Sequence, residues 1–258
     1  LASALKDLGV GQGDRVVAWL PNAIEVVETM LATASIGAVF SSCSPDFGAQ
    51  GVLDRFSQIS PKVLIATDSY IYGGKKFDCL ERLAIVRKGL PSLKATVLVD
   101  RASSSFSIAS SDLIDYESFL ISGTSTPVAP RRFKFDHPWY VLYSSGTTGV
   151  PKCIVHRTGG VLIQHLKEHQ LHCDIKADDR VMYFTTTGWM MWNWLVSVLA
   201  SGATAVLYDG SPSYPKLDRL FDLIDQESLT LLGTSAKFID AARKSEIRPI
   251  MTHGLKTL

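Results

Sequence analysis

At 258 residues, 46% hydrophobic and 20% charged, the chain has the composition of a globular protein with material for one large core or two, which excludes global disorder. Lys and Arg number 26 against 25 Asp and Glu, so no basic excess draws it to nucleic acid or an anionic membrane, and any anion site has to be local. Cys43, Cys79, Cys153 and Cys173 form no Cys-x-x-Cys pair, the pattern of reduced thiols in the cytosol.

The chain begins at Leu1 rather than Met, and Leu1-Ala-Ser-Ala-Leu-Lys-Asp-Leu8 reads as the end of an amphipathic helix. The native N-terminus is therefore expected upstream, with targeting signals unreadable. Short β-rich runs then alternate with helix-period segments. Strands are expected at Arg15–Leu20, Lys62–Ala66 and Thr96–Val99. Helices are expected at Glu25–Ile36, around Leu53, Phe56 and Ile59, and at Phe77–Lys88. Gly9, Gly13-Asp14, Pro21-Asn22 and Ser60-Pro61 punctuate these steps where the periodicity changes. The alternation argues for βαβ units and a mostly parallel sheet.

Residues 101–136 break the pattern with Ser103-Ser-Ser-Phe-Ser, Ser122-Gly-Thr-Ser-Thr-Pro and Arg131-Arg132, and read as an exposed connection with one helical piece near Asp115–Leu120. Beyond it the expected order is strand Trp139–Tyr143, a helix after Gly160, strand Arg180–Tyr183, helix Trp192–Ala200 and strand Ala203–Tyr208. Helix Leu217–Asp225, strand Thr230–Leu232, helix Ala236–Arg243 and a strand opening at Leu255 follow. Trp189–Leu199 is the most apolar stretch, but it carries Asn193 and falls short of the roughly 20 residues a membrane span needs. The expected organisation is a first βα subdomain over 1–100, a connection over 101–136 and a second βα subdomain over 137–258.

The segment Tyr143-Ser-Ser-Gly-Thr-Thr-Gly-Val-Pro-Lys152 packs four hydroxyls and two glycines into six positions before its proline and lysine. Glycines let backbone N–H groups approach an anion, hydroxyls donate further hydrogen bonds and lysine supplies compact positive charge, so polyphosphate is the natural guest. A Walker loop fails on spacing: Gly146 and Gly149 stand three apart, and Val150-Pro151 precede the lysine. Composition alone leaves a ligand-free loop equally open.

As a motif, these ten residues closely resemble the signature loop of the adenylate-forming superfamily, which includes acyl-CoA synthetases, luciferases and peptide-synthetase adenylation domains. One departure is Cys153, where that family usually has glycine; it fits only where φ stays negative. The likeness extends along the chain. Ala34-Ser-Ile-Gly-Ala-Val-Phe-Ser-Ser42 is similar to the family's early core helix and strand, and Val155-His-Arg-Thr-Gly-Gly160 to the continuation in short-chain acid:CoA ligases. Phe184-Thr-Thr-Thr-Gly-Trp189, Met190-Met-Trp-Asn-Trp194 and Leu199-Ala-Ser-Gly-Ala-Thr204 are similar to the segment walling their acyl pocket, with Met-Met-Trp-Asn pointing to acetoacetate as the acid.

The resemblance implies an α/β fold, the layered αβαβ large N-terminal domain of these enzymes in incomplete form, with a mobile C-terminal domain beyond. It implies ATP, Mg²⁺ and coenzyme A: an acid is activated as its adenylate and passed to CoA. Ser144, Ser145, Gly146, Thr147, Thr148, Gly149 and Lys152 would surround the ATP phosphates, with Thr148 and Lys152 acting in catalysis. Gly188, Trp189, Met191, Trp192 and Asn193 would wall the acyl pocket, and Asn193 alone among them offers a neutral amide to a 3-keto oxygen. Core packing is the alternative for the aromatics.

Lys75 and Lys76, after Gly73-Gly74, align with a segment that meets CoA phosphates, or form a solvated turn. His165, His169 and His172 lie at helical spacings beside Cys173, without a His-Glu-x-x-His pattern, and no metal site is expected. His156 reads as a packed histidine. The partners implied are small molecules, with no nucleic acid, no membrane and an open oligomeric state. An acetyl- or propionyl-activating enzyme stays open, as does a truncated, non-catalytic nucleotide-binding product, because the family's adenine-binding and magnesium-holding segments follow beyond this stretch.

Overall fold

Four runs in the first hundred residues are buried on both faces, as a parallel sheet covered by helices requires. The computed structural model describes residues 1–101, 112–123, 128–129, 131–144, 149–249 and 254–256. The chain divides into two units, Leu1–Tyr70 with Phe77–Gly160, and Ile71–Lys76 with Val161–Leu258.

In the first unit, helix α1 (Ala2–Asp7) leads into β1 (Arg15–Trp19), α2 (Ile24–Ser35), β2 (Val39–Cys43), α3 (Ala49–Phe56) with a tight extra turn at Ser57–Ile59, and β3 (Val63–Thr67). A ribbon of β4 (Ser69–Tyr72) and β5 (Lys75–Asp78) follows, its tip Ile71–Lys76 counted with the second unit, then α4 (Leu80–Gly89), β6 (Ala95–Val99), β7 (Leu113–Asp115), α5 (Tyr116–Ser122), β8 (Pro138–Ser144) and β9 (Lys152–Arg157). The sheet order is β7-β6-β3-β1-β2-β8-β9. Every pairing is parallel except β8 with β9. β2, β3 and β6 are buried along their whole length. Trp19, Phe56, Leu64 and Val86, none of them exposed, form the centre of one core cluster; truncating Phe56 to alanine would cost about 3–5 kcal/mol.

Three local features depart from the periodicity. The helix expected from Phe77 begins at Leu80, because Lys75–Asp78 pairs as a ribbon strand and the Asp78 carboxylate accepts the Leu80 N–H at 2.8 Å. Within the expected connection, Leu113–Asp115 adds a strand beside β6. Asp115 then caps the anticipated short helix by accepting the Ser118 N–H at 2.8 Å. β9 went unforeseen because it alternates neither way: its residues run mostly exposed on both faces.

In the second unit, α6 (Thr158–Lys167), which opens at the boundary, continues through a wide turn at Glu168–His172 to β10 (Arg180–Tyr183). Helix α7 (Met190–Val196) and a tight turn at Ser197–Ser201 lead to β11 (Thr204–Val206), α8 (Arg219–Gln226), β12 (Leu231–Gly233) and α9 (Ala236–Lys244). The three strands run parallel with β10 central. Helix α6 starts before Gly160 and passes through both glycines, where the expectation began it after them. The strand expected at Leu255 is absent from the described residues 254–256, although the Lys256 N–H donates to the Thr230 carbonyl at 2.8 Å. Leu220, Phe221, Leu223 and Ile224 bury one stripe of α8, and the Ser235 hydroxyl caps α9 by accepting the Phe238 N–H. Among the described residues no helix is long and apolar enough to cross a membrane.

Candidate functional site

β8 lies parallel to β2, so Ser144 and Cys43 end their strands at the same, carboxyl edge of the sheet. Ligands of open α/β sheets bind at this edge. The chain turns there and returns antiparallel as β9, with Ser144 paired to Lys152 and Tyr143 to Cys153. The first hydroxyl and the lysine of the motif therefore stand side by side at the two roots of one hairpin connection. Ser145, Gly146, Thr147 and Thr148 lie outside the described residues. Gly149 has φ +117°, a conformation that strains any side chain even though the space around it is open. Lys152 is exposed and makes no ion pair among the described residues, which leaves its ammonium available to an anion.

The roots are held from below by residues that local sequence reading did not single out. Ser41 on β2 donates to the Val141 carbonyl at 2.8 Å, and its oxygen lies 3.1 Å from the Tyr143 hydroxyl. A serine has one proton, so while it serves the carbonyl the phenol donates to Ser41. Burial pushes the Tyr143 phenol well above its ordinary pKa, which keeps it a donor. The Arg55 guanidinium lies over the Tyr143 ring at 5.9 Å and over Phe47 at 4.5 Å.

Gln58, in the turn after α3, donates to the Asp54 carbonyl at 2.6 Å and to the Pro151 carbonyl at 2.7 Å, and its own carbonyl accepts the Cys153 thiol at 3.4 Å. Cys153 is not among the positive-φ residues, so the side chain fits where the family's glycine would stand. Burial raises its thiol pKa and keeps it protonated. His156 packs against Tyr140 with ring centroids 5.0 Å apart, and burial lowers its pKa.

The acyl-pocket candidates part company on α7. Met191 and Trp194 line a cleft of about 480 Å³ with Glu168, Tyr183, Gly233 and Thr234. The cleft lies at the carboxyl ends of β10 and β12. Trp194 donates its indole N–H to the Glu168 carboxylate at 3.0 Å. Trp192 and Asn193 are buried at 0% and 1% exposure, and neither is among the cleft's lining residues. The Asn193 amide nitrogen and oxygen both lack a hydrogen-bond partner among the described residues. A buried orphan of this kind costs about 1–3 kcal/mol. Trp189 is 66% exposed, and Gly188 precedes it on the loop into α7.

Lys75 and Lys76 lie on the exposed strand β5. Gly73 and Gly74 both have positive φ, and a Cβ on Gly74 would run into the Tyr214 ring. His165 shares a 2.8 Å hydrogen bond with the Ser197 hydroxyl, His169 stands edge-on to Trp194, and His172 faces the cleft. Among the described residues no group of three or more His, Cys, Asp or Glu side chains converges as a metal cage.

A family model for AMP-binding enzymes matches residues 1–256. The chain is 51% identical over its whole length to the acetoacetyl-CoA synthetase of Gallus gallus and, likewise at 51%, to the acetoacetyl-coenzyme A synthetase of Rhizobium meliloti. It covers 39% and 40% of those proteins respectively. The solved acetoacetyl-CoA synthetase from Streptomyces lividans superposes with a TM-score of 0.91 at 46% identity, over 96% of this chain and 38% of that one. The chain thus spans about two fifths of the length of the relatives it matches.

Proposed function

The chain belongs to the AMP-binding enzyme family, and from that premise we propose that the full-length protein is an acid:CoA ligase that activates acetoacetate. The carboxylate attacks the α-phosphorus of Mg·ATP, the bond to the β-phosphate bridging oxygen breaks and pyrophosphate leaves. The CoA thiol then displaces AMP from the acetoacetyl-adenylate to give the thioester. The observation that carries this reading is the pairing of Ser144 with Lys152 at the roots of the Ser/Thr/Gly loop, on the carboxyl edge of the sheet. There Ser144, Ser145, Gly146, Thr147, Thr148 and Gly149 are assigned to the β- and γ-phosphates, and the Lys152 ammonium offsets charge building on pyrophosphate. Mg²⁺ enters with ATP as substrate.

The acid is assigned from the relatives' names; Asn193 is assigned to its keto oxygen because its amide lacks a partner among the described residues, although it is buried behind the cleft rather than lining it. Gly188, Trp189, Met191 and Trp192 complete that assignment, with Met191 reaching the cleft directly. Lys75 and Lys76 are assigned to CoA phosphates, on the strength of their exposed basic ribbon. The four free thiols support a reducing, cytosolic compartment, and acetoacetate as substrate makes ketone-body use and lipid metabolism the setting. The test is ATP–pyrophosphate exchange by the full-length protein with acetate, propionate, butyrate and acetoacetate in turn. Acetoacetate is expected to give the highest kcat/KM; preference for acetate or propionate would overturn the choice of acid.

A further inference from the structure

Among the described residues Lys152 has no hydrogen-bonded side-chain neighbour to aim it, yet the residues on either side of it are both tied to one side chain. Pro151 offers its carbonyl to the Gln58 amide at 2.7 Å, and Cys153 offers its thiol to the Gln58 carbonyl at 3.4 Å. The second N–H of the same amide is spent on the Asp54 carbonyl at 2.6 Å, one of the orphan acceptors at the end of α3. Three residues earlier on the same element, Arg55 donates to the Gly51 carbonyl at 2.7 Å and covers the ring of Tyr143, the residue at the loop's entry. The end of α3 thus touches both legs of the loop.

We infer that Gln58 is a positioning residue for the phosphate loop: by holding Pro151 and Cys153 it fixes the backbone from which the Lys152 side chain reaches the polyphosphate. The inference rests on the assignment of Lys152 to pyrophosphate. An amide serves here because it donates and accepts at once. Glutamate keeps the acceptor for the thiol but turns a carboxylate toward the Pro151 carbonyl, and leucine keeps the bulk and loses both bonds. A thiol at 153 supplies the donor that the family's usual glycine lacks, so in this chain the anchor has two points rather than one.

The test is a double-mutant cycle on the full-length protein, read by ATP–pyrophosphate exchange with acetoacetate. Gln58→Leu removes both the Pro151 and the Cys153 bond and is expected to lower kcat at least about fivefold, the worth of one neutral hydrogen bond, while leaving the KM for acetoacetate unchanged and, since Gln58 is exposed, moving the melting temperature little. In a Lys152→Ala background the same substitution should cost nothing, because the residue it positions is gone. Gln58→Glu should fall with Gln58→Leu. An equal loss in both backgrounds, or full activity of Gln58→Leu beside a slow Lys152→Ala, overturns the role of Gln58 alone. An unimpaired Lys152→Ala overturns the assignment of Lys152 and this inference with it.

Discussion

Replacing Lys152 by alanine in the full-length protein isolates the charge at the loop's root. The side chain is exposed and makes no ion pair among the described residues, so its removal should change stability by no more than about 0.5 kcal/mol. Under the proposed assignment to a departing pyrophosphate, the same ammonium would be one preorganised electrostatic contact, worth about 3 kcal/mol in the transition state. At 1.36 kcal/mol per decade this is about a 150-fold fall in the rate of adenylate formation. The assay is ATP–pyrophosphate exchange at saturating acetoacetate, with thermal unfolding run beside it. Lys152→Arg should recover only part of the rate, because guanidinium keeps the charge but spreads it over a plane. An unchanged exchange rate with an unchanged melting temperature would refute the reasoning. A rise in KM for ATP with kcat intact would move Lys152 to ground-state binding.

Two further outcomes follow from buried polar groups in the second unit. Asn193→Leu should reduce kcat/KM for acetoacetate more than for butyrate, since only the former presents a 3-keto oxygen; equal losses would assign Asn193 to packing. The Asp179 carboxylate is 3% exposed. Burial alone would raise its pKa, but hydrogen bonds from Lys256, the Lys176 N–H and Thr230 outweigh it and hold the value below the ordinary one. A depressed folded pKa contributes stability in full above the unfolded value of about 3.9 and loses it as pH falls through the folded value. Asp179→Asn should therefore melt lower than the parent protein at neutral pH, with the gap closing as the pH is taken down toward about 2; a gap constant with pH would show that this ion pair is not the cause.

The sequence is most legible where local physics acts alone. β10 falls on the expected Arg180–Tyr183, and β1, β3, β6 and α2 lie within a residue or two of expectation, because β-branched runs bounded by Gly and Pro have few other uses. Pairing is not local. Nothing in Trp139–Tyr143 says that β8 joins β2, about a hundred residues earlier, or that β9 returns beside it, because an edge strand exposed on both faces shows no alternation. The loop's composition of hydroxyls, glycines and lysine was readable from the chain, and it suggests a polyphosphate guest without excluding an empty loop. Its support was not: Gln58 sits 93 residues from Pro151 in an unremarkable polar turn, and only the folded chain puts them in contact. Likewise, helical spacing groups Met191 with Trp194 against the cleft and turns Asn193 away from that face, a split that a contiguous Met-Met-Trp-Asn motif conceals.

The central claim is that this chain grips ATP for adenylate formation, and it is tested most directly by trapping the intermediate. The full-length protein, incubated with Mg·ATP and acetoacetate without CoA and quenched for mass spectrometry, should yield acetoacetyl-AMP and pyrophosphate in equal amounts, with the adenylate disappearing when CoA is added. Formation of ADP and acetoacetyl phosphate instead would contradict the account, because it would mean attack at the γ-phosphorus and a loop that holds the transferred group rather than the leaving one.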